Sequence, residues 1–162
     1  MPNRTQVVHH TGDPQVGNLA TPVNSSDIVK AFIGNLPAYR PGLSANRRGL
    51  EVGMAHGYLL LGPFTTLGPL RDSEHMFLAG LLSAVGLVVV LTICLSLYSS
   101  VHTSPPLASV TVPKTPADLN NREGWNEFTS GFLIGGIGGA AFGYLLLANI
   151  PVLNSISSNL FN

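Results

Sequence analysis

Charge is what this sequence has least of. Of 162 residues, eight are Lys or Arg and eight are Asp or Glu, 10% in all, and the signs cancel. An ordinary soluble domain is about 25% charged. A soluble domain with so few charges and no excess of either sign is prone to precipitate. No basic surplus exists to meet phosphates, which argues against nucleic acid as a partner. Cysteine is almost missing too: Cys94 stands alone, so no disulfide scaffold can form within the chain. There is no HExxH, no P-loop, no CxxC and no nucleophile–base arrangement, and the ionisable residues are too scattered for catalysis, which excludes an enzyme. What is abundant is apolar: 45% of the chain. Disorder is excluded by that content, and a small membrane protein is the class that remains.

The longest uncharged apolar run is Met76–Tyr98, 23 residues, enough to cross a bilayer. A second, glycine-rich run of 22 residues covers Phe128–Asn149. A third candidate, Leu50–Leu67, is weaker, because it holds Glu51, His56 and a Gly62–Pro63 pair at which a helix can kink or end. Charge distribution favours counting it. The segment 1–49 carries Arg4, Lys30, Arg40, Arg47 and Arg48; the loop 99–127 carries Lys114 and Arg122; the loop 68–75 carries Arg71 alone, and the tail 150–162 none. Three crossings put seven basic residues on one side and one on the other, with the N-terminus on the cytoplasm-like side. The expectation is an all-α membrane protein with three transmembrane helices, 50–67, 76–98 and 128–149. A short interfacial helix from Asp27 to Leu36 precedes them, capped at Ser25–Ser26 and ended by Pro37 and Pro41. Pro105, Pro106, Pro113 and Pro116 predict an extended loop between the last two spans.

Chemistry is sought where ionisable groups meet apolar sequence. His56 either hydrogen-bonds a neighbouring helix or ligates a metal, for which a neutral imidazole is well suited. Glu51 falls in the first turn of the expected span, where a carboxylate complements the helix N-terminus and Arg47 or Arg48 is one turn away. Five residues at about 100° each set Glu51 and His56 roughly 140° apart around the axis. If both are ligands, they serve two centres, and each suits the open axial position of a chlorophyll magnesium. Gly131, Gly135, Gly139 and Gly143 form three overlapping GxxxG units. They fit close packing against another span or an oligomer seam, and Ala79, Gly80, Ser83 and Ala84 are candidates for the opposing face. Asp72 and Glu74, in a tight polar loop, are either solvated or ligands for a hard cation. Cys94 reads as inert packing. His9, His10 and His102 read as exposed and without a specific role.

Two blocks carry a resemblance: FIGNLPAYR (Phe32–Arg40) and LEVGMAHGY (Leu50–Tyr58), followed by GPLRDS (Gly68–Ser73), Trp125 and a terminal Leu160–Phe161–Asn162. In these the chain resembles the family of photosystem I subunit XI, of the cyanobacterial type, from about Gly12 to its end. The resemblance implies a thylakoid membrane subunit, N-terminus stromal and C-terminus lumenal, binding chlorophyll a and β-carotene. It implies Glu51 and His56 as axial ligands of two chlorophylls and Asp72 as a ligand of a calcium ion near an oligomer axis. The implied partners are other photosystem I subunits, thylakoid lipids, and further copies of the chain in a trimer or tetramer. The long proline-rich loop is shared with relatives that form tetramers. Two rival readings stay open on residues alone: a small channel or transporter subunit using His56 and Glu51 as a proton path, and a pigment-free membrane scaffold.

Overall fold

The computed structural model of the chain describes residues 9–10, 19–101 and 115–160. His102, Pro105, Pro106, Pro113 and Lys114 lie outside them, and with them most of the proline-rich loop. Apart from one antiparallel pair of two-residue strands, β1 (His9–His10) and β2 (Leu19–Ala20), the described chain is helical. The helices are α1 (Pro22–Ser25), α2 (Asp27–Asn35), α3 (Ala45–Leu67), α4 (Met76–Val101), α5 (Arg122–Asn149) and α6 (Pro151–Leu160), with a 3-10 turn at Ala117–Asn120.

Local sequence explains the boundaries. Ser26 Oγ accepts the Val29 amide and starts α2; Leu36, before Pro37, closes it. Ser44 caps α3 through the Arg47 amide, so this helix begins at Ala45, five residues ahead of its apolar stretch. Asn121 Oδ1 accepts the Gly124 amide at 2.8 Å and starts α5 six residues ahead of its own. In both cases a charged first turn extends a helix whose apolar part alone is visible to a hydropathy reading. Pro63 does not end α3, which continues to Leu67. The tail after Asn149 resumes as α6, with Pro151 at its first position, where the missing amide proton costs nothing.

Among the described residues two helices are long and apolar enough to cross a membrane: α4, with mean hydropathy 2.7 over its best window, and α5, with 1.8. The third expected span, α3, has the length but not the hydropathy, and it packs against both of the others. Its side chains at four-residue intervals, Ala45, Gly49, Gly53, Gly57, Leu61 and Thr65, are all buried. That ridge lies against α5. A Cβ added to Gly49, Gly53 or Gly57 would strike the carbonyl oxygens of Phe128, Phe132 or Gly136, and one added to Gly131, Gly135 or Gly139 would strike those of Asn46, Leu50 or Met54. The contact is backbone on backbone, and glycine alone permits it. Residue numbers rise together across the seam, so α3 and α5 are parallel.

Helix α4 is antiparallel to both. Gly80 meets Thr65 near the end of α3, Val88 packs over Gly136, and Ser99 Oγ bonds Asn126 Oδ1 at 3.0 Å. Gly80, Ala84 and Val88 are its buried face, as expected for the first two; Ser83 is exposed and Ala79 only half-buried. The glycine stripe of α5 therefore faces α3 rather than α4, and it is used within the chain. Cys94 is exposed on α4 rather than packed in the core. Trp125 stacks edge-on to Tyr98 and Phe128, at 4.9 and 5.4 Å between ring centres, and closes one end of the bundle.

Candidate functional site

The polar ties of the bundle gather at the end where α3 and α5 begin. Asn46 Nδ2 donates to Ser130 Oγ at 3.0 Å and to the Glu127 carbonyl at 3.2 Å. Arg48 is buried, 4% exposed, in the first turn of α3. Its Nη1 donates to the carbonyls of Pro37 at 3.0 Å and Arg40 at 2.6 Å, and its Nε stands 3.6 Å from Asp118 Oδ2. One side chain thus joins the segment after α2, helix α3 and the turn before α5. A buried guanidinium is tolerable only with such partners.

Glu51 projects from α3 just below this knot. Because α3 begins at Ala45, Glu51 is in the second turn, beyond the free amides of the first; the helix N-terminus does not account for it. Its carboxylate is held by Arg40, whose Nη2 donates to Oε1 at 2.7 Å and Oε2 at 2.5 Å. Arg47, one turn back, adds a looser contact of 3.6 Å. Arg48, the other expected partner, turns instead toward Asp118. Arg40 lies eleven residues before Glu51, at no helical spacing, and only the turn at Pro37–Pro41 brings it back. No one-dimensional signal marks it.

His56 is five residues further along α3 and faces another neighbour. Its ring meets the buried Phe132 of α5 edge-on at 5.4 Å. Nδ1 lies 2.8 Å from the Val52 carbonyl. A carbonyl only accepts, so Nδ1 carries the proton, and the lone pair sits on Nε2, the ring nitrogen farther from the helix. The ring itself is exposed on the outer face of α3. This is an oriented imidazole with a free donor nitrogen, the arrangement that metal-ligating histidines adopt. Glu51 and His56 thus turn toward different neighbours, as their angular separation requires, and the fold does not bring them to one point.

Past His56, the outer surface of α3 and α5 forms two shallow apolar grooves. One, about 330 Å³, has Met54, Tyr58 and Phe142 for walls and Gly138 for floor; the other, about 280 Å³, lies between Leu59, Gly62 and Leu146. A Cβ at Gly138 or Gly62 would meet nothing. Among the described residues these glycines serve no helix contact.

Asp72 is far from this face, in the turn between α3 and α4. It is 85% exposed, with Arg71 Nε 3.5 Å from Oδ2, and Glu74 pairs only with His75. Among the described residues no three His, Cys, Asp or Glu side chains converge as a metal site. The triple glycine of α3, Gly49–Gly53–Gly57, is the feature that sequence reading passed over; its spacing repeats that of α5 and was open to the same argument.

Residues 6–152 match the family model described as photosystem I reaction centre subunit XI. Among curated relatives, proteins named photosystem I reaction center subunit XI are similar throughout. That of a Nostoc species is 58% identical over 156 residues, covering 96% of this chain and 91% of the relative. That of Crocosphaera subtropica is 61% identical over 140 residues, covering 86% and 90%. That of a Picosynechococcus species is 59% identical over 150 residues, covering 93% and 99%.

Proposed function

The chain belongs to the photosystem I reaction centre subunit XI family, and from that premise we propose that it holds two chlorophyll a molecules through Glu51 and His56 and joins photosystem I monomers to one another. The family is one of reaction-centre subunits, not of enzymes, and a chain with two strongly apolar helices fits a thylakoid membrane protein of cyanobacteria.

The observation that carries the pigment reading is the tautomer at His56. The Val52 carbonyl holds the proton on Nδ1 and leaves the Nε2 lone pair available on an exposed ring. In a membrane an exposed imidazole without a partner is costly. A chlorophyll magnesium needs one axial nitrogen or oxygen, and the residues fit it. The axial bond and the adjoining grooves would together set the position and tilt of the ring, the two quantities on which excitation transfer depends. β-Carotene and lipid chains would occupy apolar surface of the same kind.

Three crossings are the topology that suits this role. Helix α3 runs parallel to α5 and in register with it from Asn46 to Leu61, and its 23 residues reach about 35 Å, enough for a bilayer core of about 30 Å. A neighbour of that length beside a spanning helix crosses with it, although its own hydropathy is low, because the seam with α5 hides its polar backbone. The N-terminal segment, with α2 on the surface, would then be stromal and α6 lumenal. The exposed Ile28 and Phe32 of α2 suit an interfacial position. Contacts with other copies, in a trimer or tetramer, would fall on the lumenal turn and outer faces. Asp72 there would supply one oxygen to calcium, the remaining donors coming from backbone and neighbouring copies.

The test is His56→Leu in the assembled photosystem. The expected result is one chlorophyll fewer per complex with the subunit still present. A density map with the pigment unmoved, and with neither water nor another residue as its ligand, would end the ligand reading. For assembly, deletion of the chain is expected to abolish oligomers on a native gel; unchanged oligomers refute that part.

A further inference from the structure

We infer that Arg40 is a positioning residue for the pigment held by Glu51, setting both the charge and the orientation of the carboxylate; this rests on the reading of Glu51 as an axial ligand. The side chain of Arg40 gives its two hydrogen bonds to the two oxygens of Glu51, and no other polar contact of that side chain occurs among the described residues. Arg47 is the lesser partner, 69% exposed against 36% for Arg40, and more than 3.5 Å away.

The loop that delivers Arg40 is held without that side chain. Arg48 binds the carbonyls of Pro37 and Arg40, and the amides of Tyr39 and Arg40 both bond the Leu36 carbonyl. Backbone ties fix the path, and the guanidinium is left free to serve Glu51. A short loop with two prolines, closed by a buried arginine, thus places one exposed-side cation on one helix carboxylate.

The chemistry of the pair explains why a ligand would want it. A bare carboxylate at the membrane boundary is costly and would put a full negative charge on the axis of a pigment ring. Paired with a guanidinium, the donor is neutral overall. A carboxylate offers about four lone-pair positions, and Arg40 takes two, one on each oxygen. One nitrogen, Nη2, sits astride both oxygens, so the remaining positions face away from Arg40. A lysine, whose ammonium ends one bond short of Nη2, would neutralise Glu51 from farther off.

The experiment uses photosystem I complexes from strains carrying Glu51→Gln, Arg40→Leu, Arg40→Lys, or Glu51→Gln with Arg40→Leu. Chlorophyll per complex and the low-temperature absorption difference spectrum are measured, with immunoblots for the subunit. Glu51→Gln and Arg40→Leu are each expected to lose or shift the same band, by up to one chlorophyll. The double variant should match Glu51→Gln alone, since a neutral amide needs no counter-charge. Arg40→Lys should keep the pigment with a shifted band. If Glu51→Gln alters the band and Arg40→Leu does not, or if their effects add in the double variant, Arg40 has no role through Glu51 and the inference falls by itself. If Glu51→Gln leaves both pigment content and spectrum unchanged, the ligand reading of Glu51 falls and takes the inference with it. Where Arg40→Leu fails to assemble, Arg40→Lys decides: an unshifted band overturns the inference.

Discussion

Replacing Gly53 with alanine tests the seam on which the whole arrangement rests. The new Cβ would lie 2.8 Å from the Gly136 nitrogen and closer still to the Phe132 carbonyl oxygen, whereas ordinary contact is 3.4–4 Å. Both obstacles are backbone, so no side chain can turn away. The helices must part by roughly 1 Å, and a gap of that size forfeits about a quarter to a half of each dispersion contact along the seam. Overpacking of this kind costs about 1–3 kcal/mol; the higher helix propensity of alanine returns up to ~1 kcal/mol. The expected net loss is about 1–2 kcal/mol. Gly135→Ala on the opposing helix should cost the same, since its Cβ would meet the Leu50 carbonyl. The double variant should cost less than the sum, because one separation accommodates both methyl groups. Gly138→Ala is the control: its Cβ meets nothing, so the change should be neutral or slightly stabilising. Detergent-induced unfolding of the purified chain, followed by circular dichroism and by the fluorescence of Trp125, measures all four. A Gly53→Ala chain with wild-type stability, or a Gly138→Ala chain as unstable as Gly53→Ala, would refute the seam as the source of cohesion.

Other outcomes follow from the same contacts. Asp118→Asn leaves the buried Arg48 without its counter-charge and should destabilise by about 2 kcal/mol, less than the ~3–5 kcal/mol of a fully buried pair because Asp118 is one-third exposed; the same unfolding assay reads it, and no change would remove Arg48 as a tie between α3 and the turn before α5. Ser99→Ala removes the bond to Asn126 and should cost ~1 kcal/mol, with the fluorescence of Trp125 altered because Tyr98 next door shifts. Cys94 should react with an apolar maleimide in the folded chain in micelles, without denaturant, since it is exposed on α4; labelling only after unfolding would contradict that placement.

What could be read from the sequence was what repeats or persists along it. Uninterrupted apolar runs gave away α4 and α5, and Ser26 with Pro37 bracketed α2. The four-residue recurrence of Gly131, Gly135, Gly139 and Gly143 announced a close helix contact, but periodicity on one helix cannot say which helix answers it. The answer is on α3, where Gly49, Gly53 and Gly57 repeat the same spacing among charged residues. Helix starts were misjudged for a physical reason: Ala45–Gly49 and Arg122–Glu127 are polar, and caps rather than hydropathy begin a helix. At the site, the angular offset of Glu51 and His56 followed from helix geometry alone. Their partners did not. Arg40 reaches Glu51 across a turn, Phe132 reaches His56 from another helix, and neither distance exists in one dimension.

The glycine seam also orders events in time. Helix α3 emerges from the ribosome long before α5, carrying a ridge of Gly49, Gly53 and Gly57 that exposes backbone until a matching ridge arrives. The atoms those glycines lie against belong to α5, and Gly80 of α4 meets Thr65 instead. The first helix of the bundle must therefore wait, with its close-packing ridge uncovered, for the last. A chain interrupted before Arg122 would lack the one partner shaped for α3, and the ridge of Gly49, Gly53 and Gly57 would stay bare.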